Sequence, residues 1–237
     1  ARIEEDAEVT FGTIDDASES WNLVRYGKAL AISYVALIND DMSGFTRIPA
    51  MFGQAAARLE STVVYGILTA NAAMADGTAL FHTDHANTST GALSVDATGV
   101  ANVGAAVTKL RVQTAPNGDI LGLTARYLIV PAALEIKAAQ LFSPAIVAAS
   151  AGAVNPMRTT MQVIGEPRLD ATSTAAYYVM ADQNDIDTVH YGYLDGESGP
   201  VITSEIDFDT DGMKTKVMHN FGAKAIDHRG MVYSTGA

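Results

Sequence analysis

The sequence predicts an α+β fold, and three observations carry that prediction. The stretch Asn39 to Asn71 has helical periodicity over its whole length. The middle of the chain alternates strand-like and helix-like segments. From Ile186 onward the pattern is β. A chain of 237 residues can bury a sizeable core as one large or two medium domains. Apolar residues make up 48% and charged residues 18%, which is a globular balance and not a disordered one.

The long stretch comes first because the other elements need something to pack on. Phe45, Ile48, Phe52, Ala55, Leu59, Val63 and Ile67 recur at steps of three and four and form one apolar stripe. Gln54, Arg58, Ser61 and Thr62 fall largely outside it. Asp40, Asp41 and Ser43 are candidate N-caps, and Pro49 suits a first-turn position where its missing N–H costs nothing. From Pro49 to Ala70 the rod is roughly 33 Å long.

Ahead of it, residues 1–38 read as two strands joined by a turn. Glu8 to Phe11 alternates polar and apolar, Gly12 to Ser20 is an acidic connector, and Trp21 to Ile38 is a long strand-like stretch. Such a hairpin cannot build its own core, so it lies on something else or protrudes onto another subunit. Trp21 near its tip is either an anchor for a partner or packing on the parent domain.

Behind the rod, Ala72 to Ala92 is rich in Gly, Asp, Asn, Thr and Ser and reads as a surface loop. A helix from about Thr98 to Val112 follows, then a turn at Pro116 to Asp119. Ala125 to Val130 is a buried strand, and Pro131 opens a helix over Ala132 to Leu141. Ser143 to Pro156 is rich in small residues and ambiguous. Thr159 to Ile164 and Ala175 to Met180 read as strands. Thr188 to Leu194, Val201 to Phe208, Met213 to Asn220 and Ala223 to Tyr233 complete the β region, with Asp211-Gly212 as a hairpin signal.

The net charge of −12 removes nucleic acid as an obvious direct partner, since phosphate binding needs concentrated Lys and Arg. Residues 1–20 carry seven acids against Arg2 alone, and residues 170–211 carry ten acids and no Lys or Arg. These are solvated acidic surfaces, or arms that meet basic residues on other copies of the chain. The absence of cysteine removes disulfides and thiolate metal sites. Arg58 and Glu60 interrupt the longest apolar run, so no membrane span is expected. Because it begins at Ala1, the chain reads as a trimmed product of a longer precursor.

Three constellations could carry chemistry. His82-x-Asp84-His85 holds legitimate zinc or iron ligands and is the basis of one alternative, a metal-dependent hydrolase. It lacks the helical spacing and intervening glutamate of HExxH, so an ordered polar loop is the preferred reading. Asp227-His228 could join a serine triad, but no GxSxG elbow occurs. Asp40-Asp41 could be paired catalytic carboxylates, although capping is simpler. No glycine-rich phosphate loop is present. The expectation is therefore a protein that is not an enzyme, with no catalytic, cofactor or metal residues.

The segment Ile38 to Asn87, together with Ala125 to Glu135, Glu166 to Asp170 and Asp211 to Gly230, resembles the major capsid proteins of tailed phages. The likeness is closest to the Mu-type major head subunit and to coats fused to a prohead protease. It implies the Hong Kong 97-type coat fold. On that fold, residues 1–38 would be the extended E-loop hairpin, with the family's N-terminal arm ahead of Ala1. Residues 39–94 would hold the spine helix and following loop of the peripheral (P) domain. Residues 95–182 would form the axial (A) domain, 183–220 the long P-domain strands, and 221–237 the return to the A domain. The implied function is the major head protein of a phage or prophage. It would self-assemble into pentamers and hexamers of an icosahedral virion shell in the host cytoplasm and enclose DNA without reading its sequence. The implied partners are other copies of itself, with a portal, a scaffold and a prohead protease during assembly, and no membrane. An encapsulin-type compartment is the alternative within the same fold.

Overall fold

A computed structural model describes residues 19–39, 44–142, 160–208 and 211–237. The expected strand at Glu8 to Phe11, the caps Asp40, Asp41 and Ser43, and the segment Ser143 to Pro156 lie outside the described residues.

The strands of the described residues form two sheets. Strands β1 (Val24–Ile32), β6 (Val189–Tyr193), β7 (Val201–Ile206) and β8 (Met213–Ala225) form a four-stranded antiparallel sheet. Its centre is the 13-residue β8, which pairs with β1 along one edge and with β7 then β6 along the other. Strands β2 (Thr88–Ser89), β9 (Met231–Ser234), β5 (Tyr177–Ala181), β3 (Ala125–Val130) and β4 (Gln162–Gly165) make a five-stranded mixed sheet in that order. The short connection from β8 to β9 carries the chain from one sheet to the other.

The five-stranded sheet is covered on both faces. Leu128, Val130, Tyr177, Val179 and Val232 pack under helices α3 (Ala97–Arg111) and α4 (Ala132–Phe142), where Val103, Ala106, Leu110, Ala138 and Leu141 close the core. Their neighbours Ile129, Tyr178 and Met231 point to the opposite face, as strand alternation requires, and meet Leu68, Leu80 and Phe81. Asp96 caps α3 by accepting from the Gly99 N–H at 2.8 Å. Asp170 caps α4 from a distance in sequence, accepting from the Ala132 and Ala133 N–H groups at 2.8 and 3.1 Å.

Helix α2 (Ile48–Ala70) is the expected rod, with Pro49 in its first turn. Its N-cap is Arg47, at the end of a short turn over Gly44–Arg47, and the Arg47 side chain makes no capping bond. The stripe also differs from expectation. Ile48, Ala56 and Leu68 are buried while Ala55 is exposed, and these three positions are spread around the helix. The reason is that the rod changes partners: its middle lies on β8, and its C-terminal end meets the five-stranded sheet at Tyr178, whose hydroxyl donates to the Leu68 carbonyl at 3.4 Å. Asn71 ends the helix in the left-handed region at φ 45°. Its side chain donates to the Phe81 carbonyl at 3.2 Å and accepts from the Phe81 N–H at 2.7 Å.

Two further expectations are corrected, and a third is refined. The Trp21 to Ile38 strand stops at Ile32, because Ser33 accepts from the Ala36 N–H at 3.3 Å and starts helix α1 (Tyr34–Ile38). The break expected at Phe221-Gly222 falls later: β8 runs unbroken through those two residues to Ala225, and the second strand is β9, which starts at Met231. The loop Ala72 to Ala92 is largely exposed, as expected, but it is anchored inside the fold. Leu80, Phe81, His85 and Asn87 are buried, and the Asn87 amide both accepts from the His82 N–H and donates to the Leu80 carbonyl.

Candidate functional site

Among the described residues, those singled out for chemistry do not converge on one centre. His85 is 7% exposed, and both ring nitrogens face acceptors: Nδ1 the Leu80 carbonyl at 3.1 Å and Nε2 the Asp76 carboxylate at 2.7 Å. Its contact holds the Asp76 carboxyl below the usual range, helped by the Thr78 N–H. His82 instead is exposed, and its Nδ1 accepts from the Asp84 backbone N–H at 3.2 Å, with the Asp84 carboxylate 3.4 Å away. His82, Asp84 and His85 therefore do not converge. Among the described residues, no group of three or more His, Asp or Glu could hold a metal ion.

The hydrolase pair fails for a related reason. Asp227 is taken by Arg229, accepting from its Nε at 3.0 Å and its Nη2 at 2.8 Å. His228 stacks on His85 with ring centroids 3.8 Å apart and planes 9° apart. Burial, then the neighbouring His85, pushes the His228 ring below the ordinary histidine value. With Asp227 held by Arg229, no carboxylate among the described residues hydrogen-bonds the His228 ring as a triad base requires.

The polar group that matters structurally is one that motif reasoning passed over. Glu60 appears in the sequence only as a charge interrupting an apolar run. In the fold its carboxylate bridges α2 to the four-stranded sheet, contacting His219 Nε2 at 2.8 Å and accepting from the Tyr193 hydroxyl at 3.1 Å. Desolvation, then Glu60 itself, raises the Tyr193 hydroxyl above its usual value. His219 also stacks near Phe221 on β8, with centroids 5.9 Å apart. The only sequence signal for this knot is a glutamate standing beside Leu59 in an otherwise apolar stretch.

The acidic segment 170–211 likewise works largely within the chain. Beyond the cap made by Asp170, Asp182 lies 3.9 Å from Arg126, Glu197 accepts from Asn220 at 2.6 Å, and Asp207 pairs with Lys214 at 2.7 Å.

What remains open is the far end of the four-stranded sheet. Ile32, Met213 and Ile206 form one rung across β1, β8 and β7, and Leu30, Thr215 and Ser204 form the next on the same face; Ile32 and Thr215 are buried there, and the flanking positions are not. Ile206 is 78% exposed and Phe208 is 97% exposed, while Leu30, Tyr34, Val35 and Ile38 are exposed beside them. Among the described residues β1 pairs only with β8, so its outer edge offers backbone donors and acceptors. An exposed apolar patch on a free-edged sheet can dock a partner but can do no bond chemistry.

The family model for phage capsid proteins matches residues 17–234. No curated protein matches the chain. Among solved structures, that of Mycobacterium phage Che8 is similar at 14% identity, covering 100% of this chain and 81% of that one, with a TM-score of 0.58. The capsid of Myoviridae phage XM1 is similar at 11% identity, covering 91% and 74%, with a TM-score of 0.60. The holo-SrpI encapsulin complex from Synechococcus elongatus PCC 7942 is similar at 10% identity, covering 91% and 74%, with a TM-score of 0.54.

Proposed function

We propose a shell-building role divided between two sheets for this chain, which belongs to the phage capsid protein family. It is a structural subunit of an icosahedral phage head, and not an enzyme. Its mechanism is self-association, and its fold is the Hong Kong 97 type.

Within that role, the five-stranded sheet with α3 and α4 is the A domain, and α2 with the four-stranded sheet is the P domain. β1 belongs to the E-loop reaching across a neighbour. The end of β8 at Ala225 supports putting the crossing from P to A there. The observation that carries this reading is the open distal end of the four-stranded sheet, where Ile206 and Phe208 face solvent in a single subunit. Such groups gain about 25 cal/mol per Å² when covered, so a second subunit is the natural cover. The finer kinship is with the Mu-type and protease-fused coats, with portal, scaffold and prohead protease as partners during assembly. The DNA inside is enclosed without being read, consistent with a net charge of −12.

An encapsulin-type shell is the second reading, favoured by the fold shared with SrpI. Electron microscopy of the full-length gene product tests the first reading, with closed shells or capsomers expected; persistent monomers would count against it. Portal and terminase genes beside this one would select the phage, and a cargo enzyme gene the encapsulin.

A further inference from the structure

The only tryptophan of the chain, Trp21, is part-buried. It lies on the chain's own four-stranded sheet, in a notch made by two glycines paired across β6 and β8, Gly192 and Gly222. A Cβ at Gly192 would stand 2.8 Å from Trp21 Cη2. One at Gly222 would stand 3.0 Å from Trp21 Cζ3 and 2.8 Å from the Asn22 carbonyl oxygen. Neither glycine has a positive φ, so the missing Cβ serves the close approach and not the backbone. By alternation along β8, Gly222 and Lys224 face away from His219 and Phe221, so the indole covers the face opposite α2.

The rest of residues 19–23 is held by side chains. Lys224 Nζ pairs with the Glu19 carboxylate at 2.6 Å and donates to the Ser20 carbonyl at 3.0 Å, and Glu19 accepts from the Ala75 N–H at 2.5 Å. Burial pushes the Glu19 carboxyl up, but Lys224 and the Ala75 N–H outweigh it and hold it below the usual range. Strand pairing begins only at Val24. No backbone ladder therefore has to break for residues 19–23 to leave the sheet.

We propose that residues 19–23 are a releasable strap, plugged by Trp21 into the Gly192–Gly222 notch and tied by Glu19 to Lys224 and the Ala75 turn. Docked, it sets the direction in which the chain enters β1 and couples that entry to the 72–87 loop. Released, it frees the segment before β1 while β1, β8 and β6 stay paired, and it bares a sheet notch sized for one aromatic ring. The inference rests on intrachain geometry and holds whether or not the shell reading does.

Trp21 is its own reporter. In Gly222→Ala the added methyl fits the strand but meets the strap, so the tryptophan emission should shift to the red and acrylamide quenching should rise. Hydrogen exchange across β8 should stay slow. Lys224→Met, which leaves the notch intact, should give a smaller shift in the same direction and serves if Gly222→Ala does not fold. Emission unchanged in the folded variants, or a red shift that comes with loss of protection across β8, would overturn the proposal.

Discussion

The two sheets are built from the same kinds of strand and end in opposite states. In the five-stranded sheet, β5 and β9 are buried almost throughout, because helices α3 and α4 close one face and α2 with the 72–87 loop closes the other. In the four-stranded sheet, β1 and β7 are exposed over nearly their whole length, and only β8 has a covered face. One half of the subunit satisfies its apolar groups alone, and the other leaves them for a neighbour. That division suits a shell protein, which must be stable as a subunit and incomplete as a surface.

If the division is real, the two halves must answer mutation differently. The largest effect belongs to the closed sheet: Leu128→Ala, at a fully buried position, should cost about 2–5 kcal/mol in urea unfolding. A value near zero would mean that the closed core is not the stable half. Next comes the knot joining α2 to the open sheet. Glu60→Ala strands the nearly buried His219 and the Tyr193 hydroxyl without their acceptor and should cost about 1–3 kcal/mol. Alkaline titration of the same variant should bring the Tyr193 hydroxyl back toward its ordinary value.

A smaller effect should follow pH at the seam between the sheets. His228 is held below the ordinary histidine value of about 6.5, so the unfolded chain takes up its proton first and stability falls as pH drops below that value. Asp76 is held below the usual carboxylate range, so its contribution persists at neutral pH and is lost only as pH falls through its folded value, below about 3.9. Urea midpoints measured from neutral to acid pH should therefore decline in that order, and His228→Phe should flatten the upper limb alone. The smallest effect on the subunit should come from the open sheet, where Ile206→Ser should change unfolding free energy by no more than about 0.5 kcal/mol.

Much of the closed half was legible in the sequence, because its signals are local. The run Ala125 to Val130 bounded by Pro131 gave β3, the period over Thr98 to Val112 gave α3 within a residue at each end, and Asp211-Gly212 marked the β7–β8 turn. The misreadings lie where a residue serves a distant contact. Phe221-Gly222 reads as a break, yet Gly222 sits inside β8 to admit Trp21. The 72–92 loop reads as exposed because it is polar, yet Asn87 and His85 spend those polar groups on buried backbone and Asp76. Glu60 carries no motif, since its partners lie more than a hundred residues away.

The most direct measurement is electron microscopy of the full-length gene product beside the same protein carrying Ile206→Asp and Phe208→Asp. The expected result is closed icosahedral shells from the parent, and folded subunits without shells from the double variant. A parent that stays monomeric under assembly conditions, or a double variant that assembles as the parent does, would contradict a subunit whose open sheet waits for its neighbour.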